Sequence, residues 1–250
     1  MTTTVAVVGA TGTMGTLISR LIEESPDFEV VASLSSASPL SEMEAADLVV
    51  DFTHPAVSPT VIEHAVSAGL NVLVGTSGWS ADRITSLSRQ LETSPDVGVV
   101  IVPNFSLGSA LVTAFSAMAA RFYDSIEIVE AHHAAKVDSP SGTAVRTAEL
   151  IGSAREVLGP VAAPHTDQRA RGQQVSSVPI HSLRMTGVMA RQEVRFGGSG
   201  ELVTLSHETT SPQSYEAGLM LGLAAARDAR GVLVGLESII DLLPGNGADR

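Results

Sequence analysis

The sequence contains no cysteine and a single lysine, and both shortages narrow what the protein can be. Without cysteine, disulfide scaffolds, thiolate metal sites and cysteine nucleophiles are excluded. Fifteen basic residues stand against 27 acidic ones, and the net charge of −12 argues against a protein that binds nucleic acid through its phosphates. Fourteen of the basic residues are Arg, so Lys136 is the only lysine in the chain.

Long hydrophobic runs are also missing. The apolar stretch from Ala217 to Ala226 is short and interrupted by glycine, so it does not predict a membrane span. Met1-Thr2-Thr3-Thr4 lacks the basic segment of a signal peptide. With 44% hydrophobic and 17% charged residues, we expect a soluble, cytoplasmic protein with one large domain or two small ones, and no membrane partner.

Short β-branched runs alternate with helix-period segments in the first hundred residues. The runs predict strands buried on both faces, at 5–8, 30–32, 48–50, 72–74 and 97–102. Between them, apolar stripes predict helices at 14–22, 55–68 and 82–91. Repeated strand, helix and strand predict an α/β fold with a Rossmann-like, doubly wound parallel sheet.

The pattern changes after Phe105. Helices are predicted at 108–122, 143–157 and 215–228, and strands at 126–130, 180–184, 192–196 and 202–205. Gly197-Gly198-Ser199-Gly200 predicts a hairpin turn, and a short apolar segment at 232–243 ends the pattern. We therefore expect a dinucleotide-binding domain at 1–105 plus 217–250, with an inserted α+β domain at 106–216 for substrate binding and oligomerisation.

Three glycines follow the first predicted strand, in Gly9-Ala10-Thr11-Gly12-Thr13-Met14-Gly15. Between a strand and a helix, such glycines allow a tight turn and the close approach of a pyrophosphate to helix amides. The G-x-x-G-x-x-G spacing is one residue longer than the commoner G-x-G-x-x-G, so an ordinary glycine-rich turn is the alternative. The loop predicts a site for NADH or NADPH.

The tip of the second predicted strand bears on the choice between the two nucleotides. Glu29 precedes the strand, while the tip, Leu34-Ser35-Ser36, has neither a carboxylate for ribose hydroxyls nor an Arg for a 2′-phosphate. We therefore expect dual use, or a preference for NADH, over strict use of NADPH. Two more strand ends lie at the same edge, at Gly75-Thr76-Ser77-Gly78 and Pro103-Asn104-Phe105, although turn chemistry explains each equally well.

The segment from Glu130 to Ala144 concentrates chemistry at a strand exit. His132 and His133 carry imidazoles that titrate near neutrality, and Lys136 adds a compact positive charge. The Ser141 and Thr143 hydroxyls, with the amides of Gly142 and Thr143, resemble a cradle for a carboxylate at a helix start. Together they predict a site where a small polyanion undergoes proton transfer.

Each part of this segment has a plainer interpretation. A histidine pair is commonly solvated surface, and Ser-Gly-Thr before a helix is commonly an N-cap. No metal site is expected, because adjacent histidines in a strand do not easily face one ion and no third ligand is placed. Arg184 is either a further contributor to a positive pocket or a surface or interface residue.

The same residues closely resemble a long family signature, E-x-H-H-x-x-K-x-D-x-P-S-G-T-A. It is that of the 4-hydroxy-tetrahydrodipicolinate reductases, also called the dihydrodipicolinate reductase family. The resemblance, strongest to actinobacterial members, extends over essentially the whole chain. It includes the Gly9 loop, Asp51-Phe52-Thr53, Asn104-Phe105-Ser106, the segment 184–197 and Asp241-Leu242.

The resemblance implies reduction of 4-hydroxy-tetrahydrodipicolinate by NADH or NADPH, with loss of water, in the diaminopimelate pathway of lysine biosynthesis. It makes His132 a proton donor and acceptor, Lys136 a second proton donor, and His133, Gly142 and Thr143 contacts to the substrate carboxylate, to which we add Ser141. It also implies a homotetramer assembled through the sheet of the second domain. The expected cofactor contacts, including Ser35 at the strand tip, are Gly9, Ala10, Thr11, Gly12, Thr13, Met14, Ser35, Gly75, Thr76, Ser77, Val102, Pro103, Asn104 and Phe105.

Two other functions compete with this reading. A non-catalytic NAD(P)H-binding sensor on a degenerate reductase fold predicts gaps in the proton-transfer segment, and none are visible. Another NAD(P)-dependent oxidoreductase, such as an amino-acid dehydrogenase, leaves the Pro140-Ser141-Gly142-Thr143 turn beside His-His-x-x-Lys unexplained.

The single lysine allows a direct chemical test. An amine-selective reagent has only Lys136 and the amino terminus of the chain to modify. We expect labelling to abolish turnover and a substrate analogue to protect it, because Lys136 is the expected second proton donor. The pKa of a Lys ammonium can be shifted by its surroundings, whereas the Arg guanidinium keeps its proton. If mass spectrometry shows complete labelling of Lys136 and turnover is intact, the role assigned to this lysine is wrong.

Overall fold

The computed structural model describes residues 2–240, which form two compact units. The first contains residues 2–105 and 215–240, and the second is Ser106–Ser214. Each unit has its own sheet and its own hydrophobic core. The expected insert ends two residues later than the second unit, and Asp241-Leu242 and the rest of 241–250 lie outside the described residues.

The first unit is built on six parallel strands, in the order β11-β5-β4-β3-β1-β2. Their bounds are Thr3–Val8 (β1), Phe28–Leu34 (β2), Leu48–Asp51 (β3), Asn71–Val74 (β4), Gly98–Ile101 (β5) and Gly231–Val234 (β11). Every residue of β3, β4 and β5 is buried, as expected where helices cover both faces of a parallel sheet. The Rossmann-like fold is confirmed.

Four helices belong to this unit: Thr13–Glu23 (α1), Ser58–Ser67 (α2), Ala81–Leu91 (α3) and Glu216–Asp228 (α6). The second of these begins three residues later than predicted, because His54 precedes a proline and its carbonyl instead closes a turn with the amides of Val57 and Ser58. The predicted apolar segment at 232–243 overlaps β11, which begins one residue earlier, pairs with β5 and widens the sheet by one strand. Residues 241–243 of that segment lie outside the described residues.

The second unit is a five-stranded mixed sheet in the order β10-β9-β6-β8-β7. The strands are Ser125–His133 (β6), Gln173–Val175 (β7), Val178–Met185 (β8), Ala190–Gly198 (β9) and Glu201–Thr209 (β10). Two helices, Leu107–Ala119 (α4) and Gly142–Ala154 (α5), pack on one face, over buried Ile128, Ile180, Val194 and Phe196. This α+β arrangement agrees with the predicted fold class.

Two details of this sheet matter for the site. β6 is parallel to β8, so the two strands end at the same edge, and it runs three residues beyond the predicted 126–130 to include both histidines. The predicted hairpin joins β9 to β10 through Ser199 and Gly200, whose φ of 84° suits glycine. None of the helices found between residues 2 and 240 has the length and apolarity needed to span a membrane.

Candidate active site

The glycine loop after β1 is shaped by two close backbone approaches. Gly9 has φ of 84°, and a Cβ there would lie 2.4 Å from the carbonyl oxygen of Phe52. A Cβ on Gly15 would lie 2.2 Å from the carbonyl oxygen of Gly9. At Gly12, the N-cap of α1, the nearest neighbour of a Cβ would be that same oxygen at 3.4 Å, an ordinary contact. The fold therefore requires the outer glycines, while the middle one leaves backbone open at a helix start, as a pyrophosphate requires.

The remaining strand-end candidates lie at the same edge, since all six strands are parallel. Ser35 follows β2 and is partly exposed, Ser77 and Pro103 are exposed, and Asn104 is partly exposed. The side chains of Thr76, Val102 and Phe105 are buried. A ligand bound at this edge would therefore contact the backbone atoms of these residues. Glu29 lies near the start of β2, at the opposite edge, as predicted.

Phe105 is a packing residue of the first unit. Its ring is tilted against that of Phe52, with 5.6 Å between ring centroids. A Cβ on Gly75 would lie 2.0 Å from the Phe52 ring and 2.8 Å from the Phe105 ring. Gly75 is therefore glycine because two aromatic rings occupy the space beside it, which turn chemistry alone did not indicate.

Asp51, at the end of β3, stabilises the turn that contacts the glycine loop. This role was not predicted from the sequence. It is fully buried, and its carboxylate accepts hydrogen bonds from the Thr53 amide (3.0 Å), the Thr53 hydroxyl (2.6 Å) and the Ser58 hydroxyl. This turn fixes Phe52, whose carbonyl touches Gly9. An Asp that ends a strand two residues before a Thr is the local signal for such a turn.

In the second unit, the predicted proton-transfer residues gather where β6 and β8 end. His132 is opposite Arg184 and Glu130 is opposite Ser182 in the parallel register. Because side chains alternate along a strand, Glu130 and His132 share the helix-covered face, while His133 points to the other face and is exposed. The two histidines thus have different surroundings, and the side chain of His132 is 15% exposed.

Glu130 is the most heavily bonded side chain of this site. It is fully buried, and its Oε2 accepts from His132 Nδ1 at 2.6 Å and from Arg184 Nη1 at 2.9 Å. Its Oε1 accepts from Arg184 Nη2 at 3.0 Å and from the Ser141 amide at 3.2 Å. Burial alone would raise the pKa of Glu130, but the hydrogen bonds from His132, Arg184 and Ser182 outweigh burial and lower it to about 2.

Lys136 is paired within its own loop. Its Nζ lies 2.7 Å from Asp138 Oδ1, and its amide donates to the His133 carbonyl at 3.1 Å, which closes the turn after β6. Burial acts to raise the pKa of Asp138, but the hydrogen bond and charge of Lys136 outweigh it and the pKa is lowered. The Lys136 side chain is 23% exposed, so its ammonium is held near the strand exit and still reaches solvent.

The start of α5 completes the site. The Ser141 hydroxyl oxygen accepts from the Ala144 amide at 3.2 Å, so the N-cap interpretation is correct for this side chain, and its own amide is used by Glu130. Gly142 is exposed, and a Cβ there would meet nothing within 4 Å. Thr143 is partly buried in the first turn. The helix therefore presents its positive end beside open space at Gly142.

A separate role for Glu130 does not follow from the sequence, and neither does a choice between the two interpretations of Arg184. The structure resolves the second question, because both terminal nitrogens of Arg184 contact Glu130. The alternation along β6 is a signal that could have placed Glu130 beside His132. Within residues 2–240, no three His, Cys, Asp or Glu side chains are grouped so that they could hold a metal ion.

Comparison with known proteins gives the same picture over nearly the whole chain. The family model for the N-terminal part of dihydrodipicolinate reductase matches residues 3–105, and that for its C-terminal part matches residues 108–240. The 4-hydroxy-tetrahydrodipicolinate reductase of Clavibacter michiganensis subsp. michiganensis is 66% identical over 242 residues, 97% of this chain and 87% of that protein. The Streptomyces griseus protein of the same name is 40% identical over 95% of this chain and 98% of its own length.

A solved structure agrees with these sequence matches. The dipicolinate-bound dihydrodipicolinate reductase from Paenisporosarcina sp. TG-14 superimposes with a TM-score of 0.76 at 28% identity, covering 96% of this chain and all of that one. The NAD complex of GenD2 from gentamicin A biosynthesis has a TM-score of 0.63 at 15% identity, over 95% of this chain and 90% of that one, and shares the fold.

The first unit has a Rossmann-type fold, and the second is a mixed-sheet unit in which His132, Lys136 and the start of α5 lie in one segment. Together they define the class of nucleotide-dependent oxidoreductases built from two units. Among such enzymes, the chain belongs to the dihydrodipicolinate reductase family. The use of NADH or NADPH follows from that membership, and the resemblance noted from the sequence is confirmed.

The Glu130 cluster predicts a pH-dependent loss of stability. Glu130→Gln should lower the free energy of unfolding by about 3 kcal/mol at pH 6. The folded pKa of about 2 lies below the ordinary 4.5, so the ionised carboxylate stabilises the fold above pH 4.5 and loses this effect as the pH falls towards 2. Urea unfolding at pH 3 should therefore show about half the difference seen at pH 6.

The control is Glu149→Gln, which replaces an exposed carboxylate on α5 and should change stability by less than about 0.5 kcal/mol at either pH. An equal difference between wild type and Glu130→Gln at pH 6 and pH 3 would contradict the strongly lowered pKa.

Proposed function

We propose that this protein reduces 4-hydroxy-tetrahydrodipicolinate to tetrahydrodipicolinate with NADH or NADPH, releasing water, in the diaminopimelate pathway of lysine biosynthesis. The observation that carries the proposal is the cluster at the end of β6, where an imidazole, an ammonium and a helix start lie in one short segment. Family membership supports the reaction, and the Paenisporosarcina relative was solved with a dicarboxylate, dipicolinate, bound. We also propose that it works in the cytoplasm.

His132 is the proposed proton donor. Loss of the 4-hydroxyl group of the substrate as water leaves a conjugated ring. A bound nicotinamide would supply a hydride to that ring, and the enamine-like carbon that results must gain a proton. Since Nδ1 of His132 is held by Glu130, Nε2 is the atom that can deliver this proton. Lys136 offsets the charge of the dianion and serves as the second donor, exchanging its contact with Asp138 for the substrate.

The start of α5 is the proposed carboxylate site. Its positive end is beside open space at Gly142, where the amides of Gly142 and Thr143 would face a substrate carboxylate. The Ser141 hydroxyl accepts from the Ala144 amide and still has a proton to donate, and His133 is exposed near the same strand end. On a chain with net charge −12, a dianion needs such a locally positive place.

The nicotinamide nucleotide is assigned to the edge of the first sheet. The open backbone at Gly12 and the start of α1 suit its pyrophosphate, and the ends of β2, β4 and β5 supply the other contacts. Because Ser35 and Ser36 offer neither a carboxylate nor an Arg at the β2 tip, we propose dual use of NADH and NADPH or a preference for NADH. The proposed contacts are Gly9 to Met14, Ser35, Gly75 to Ser77, and Val102 to Phe105.

A homotetramer is proposed as the assembled form. The helices α4 and α5 cover one face of the second sheet, while Leu183, Met185 and Leu202 are 46%, 48% and 64% exposed on strands of that sheet. By strand alternation these three side chains lie on the face opposite buried Ile180 and Phe196. Exposed apolar side chains on a sheet face are ones that copies of a chain commonly bury against one another, and these three support the proposal.

A coupled assay tests the reaction. Pyruvate and aspartate semialdehyde are condensed enzymatically, this protein is added, and oxidation of NADH and of NADPH is followed by absorbance. We expect oxidation in the wild type, and in His132→Gln a kcat lowered by about 100-fold or more with little change in KM, as loss of a general acid predicts. Binding of nucleotide without oxidation would instead indicate a sensor, and oxidation only with another substrate would indicate a different oxidoreductase.

Gly142→Ala tests the carboxylate site with little risk to the fold. The added methyl group meets nothing within 4 Å in the protein, and Gly142 does not have a positive φ that would require glycine. We expect thermal stability to be kept and the KM for the dicarboxylate to rise about tenfold or more, since the methyl group fills the space assigned to the carboxylate. The KM for nucleotide is the internal control, and an unchanged dicarboxylate KM would remove Gly142 from the site.

A further inference from the structure

Glu130 joins three separate segments of the second unit through one buried carboxylate. Its partners are His132 on the same strand, Ser182 and Arg184 on the neighbouring strand β8, and the backbone amide of Ser141 just before α5. Each carboxylate oxygen accepts at least two hydrogen bonds, so the group has one orientation compatible with all of them. Glu130 therefore links the proposed proton donor to the segment that begins α5.

An ionised carboxylate accepts hydrogen bonds and has none to donate. The 2.6 Å contact between Glu130 Oε2 and His132 Nδ1 therefore requires the proton to lie on Nδ1. In the neutral imidazole this leaves the lone pair on Nε2, and in the imidazolium it makes Nε2 the atom that releases a proton. The same contact fixes the direction in which the ring points.

Arg184 holds the carboxylate from the other strand. Its Nη1 and Nη2 contact both oxygens of Glu130 at 2.9 and 3.0 Å, and the same two nitrogens donate to the backbone carbonyls of Leu183 and Asp138. The guanidinium thus reaches the loop that carries Lys136 as well as β6. Its Nε is buried and has no partner within the described residues.

These contacts decide what Arg184 can do for a bound dianion. Its terminal nitrogens are already committed to Glu130 and to backbone carbonyls, so it is poorly placed to bind a substrate carboxylate itself. It does neutralise Glu130, which would otherwise add a third negative charge close to a substrate with two. The other charged or titratable groups of this strand end are His133, Lys136 and Asp138.

We propose that Glu130 and Arg184 are positioning residues for the reaction. The ionised Glu130 fixes the Nδ1-protonated form of His132. Arg184 balances the charge of Glu130 and holds it against the loop and α5. This inference rests on the proposed function, since it concerns the proton donor of that reaction. It assigns to a buried ion pair a role in rate, in addition to its role in stability.

The test compares kcat, KM and the pH profile of kcat in the coupled assay. Glu130→Gln should lower kcat by about 10- to 100-fold. The basic limb of its profile should also move to lower pH, because a neutral amide stabilises the imidazolium less than a carboxylate does. The KM for the dicarboxylate should not rise, since no positive charge is lost.

Arg184→Lys is the second variant, and it guards against a Glu130→Gln protein that fails to fold. The ammonium keeps the positive charge but cannot contact both oxygens of Glu130 and the Asp138 carbonyl at once. We expect kcat to fall about tenfold while the basic limb stays in place, because Glu130 is still ionised. A wild-type kcat in a folded Arg184→Lys protein would overturn the role of Arg184.

A matched control exists three residues earlier on β6. Glu127 also binds an Arg and a His, with contacts to Arg171 and, at 2.6 Å, to His181 Nε2, but by strand alternation it lies on the opposite face from Glu130. Glu127→Gln removes a partly exposed carboxylate, bound to an Arg and a His, from the other face of the same strand, so its pH profile should match that of the wild type. A shift as large as that of Glu130→Gln would make the effect a general one of destabilising β6 and would overturn the proposal.

Wild type and His132→Gln are measured in the same series. If the wild type does not oxidise either nucleotide, the proposed function is wrong, whatever the other variants do. If the wild type is active and a folded Glu130→Gln protein retains the wild-type kcat and profile, the function stands and the positioning role is wrong.

Discussion

The site of the second unit depends on one buried carboxylate that is kept ionised. A carboxylate taken out of water is expensive unless it is paired and fully hydrogen-bonded, and Glu130 meets that requirement through a bidentate Arg, an imidazole and a backbone amide. Removal of one partner would leave the buried carboxylate incompletely hydrogen-bonded, which costs free energy. The ends of two strands and the start of a helix are therefore held in a single arrangement, which is what positioning of a proton donor requires.

The net charge of the whole chain bears on how this site could bind a dianion. A net charge of −12 disfavours the dianionic substrate proposed for this protein, and Lys136, the two imidazoles and the start of α5 are the groups proposed to offset that charge locally. Lys136 is the only lysine among the 15 basic residues of the chain, and it is partly buried beside Asp138. A compact ammonium can exchange one anionic partner for another, whereas the Arg184 guanidinium is held by hydrogen bonds to both oxygens of Glu130.

Much of the fold could be predicted because its signals are local. Buried β-branched runs such as Leu48–Asp51 and the glycine loop after β1 identify a parallel sheet and its nucleotide edge without any long-range information. The start of α2 was misplaced because the competing turn at His54 depends on a single carbonyl. The strand β11 was read only as an apolar segment, since its partner β5 lies some 130 residues earlier in the chain. The pairing of Glu130 with Arg184 was out of reach for the same reason: it depends on the register between β6 and β8, which no local pattern encodes.

The protonation of His132 tests the central claim most directly. Nitrogen NMR of the protein labelled with ¹⁵N at histidine, recorded above the pH at which His132 loses its charge and assigned with His132→Gln, distinguishes the two neutral tautomers. We expect the proton on Nδ1 and the lone pair on Nε2, because the Glu130 carboxylate can only accept. A proton found on Nε2 would contradict both the contact with an ionised Glu130 and the assignment of Nε2 as the donating atom.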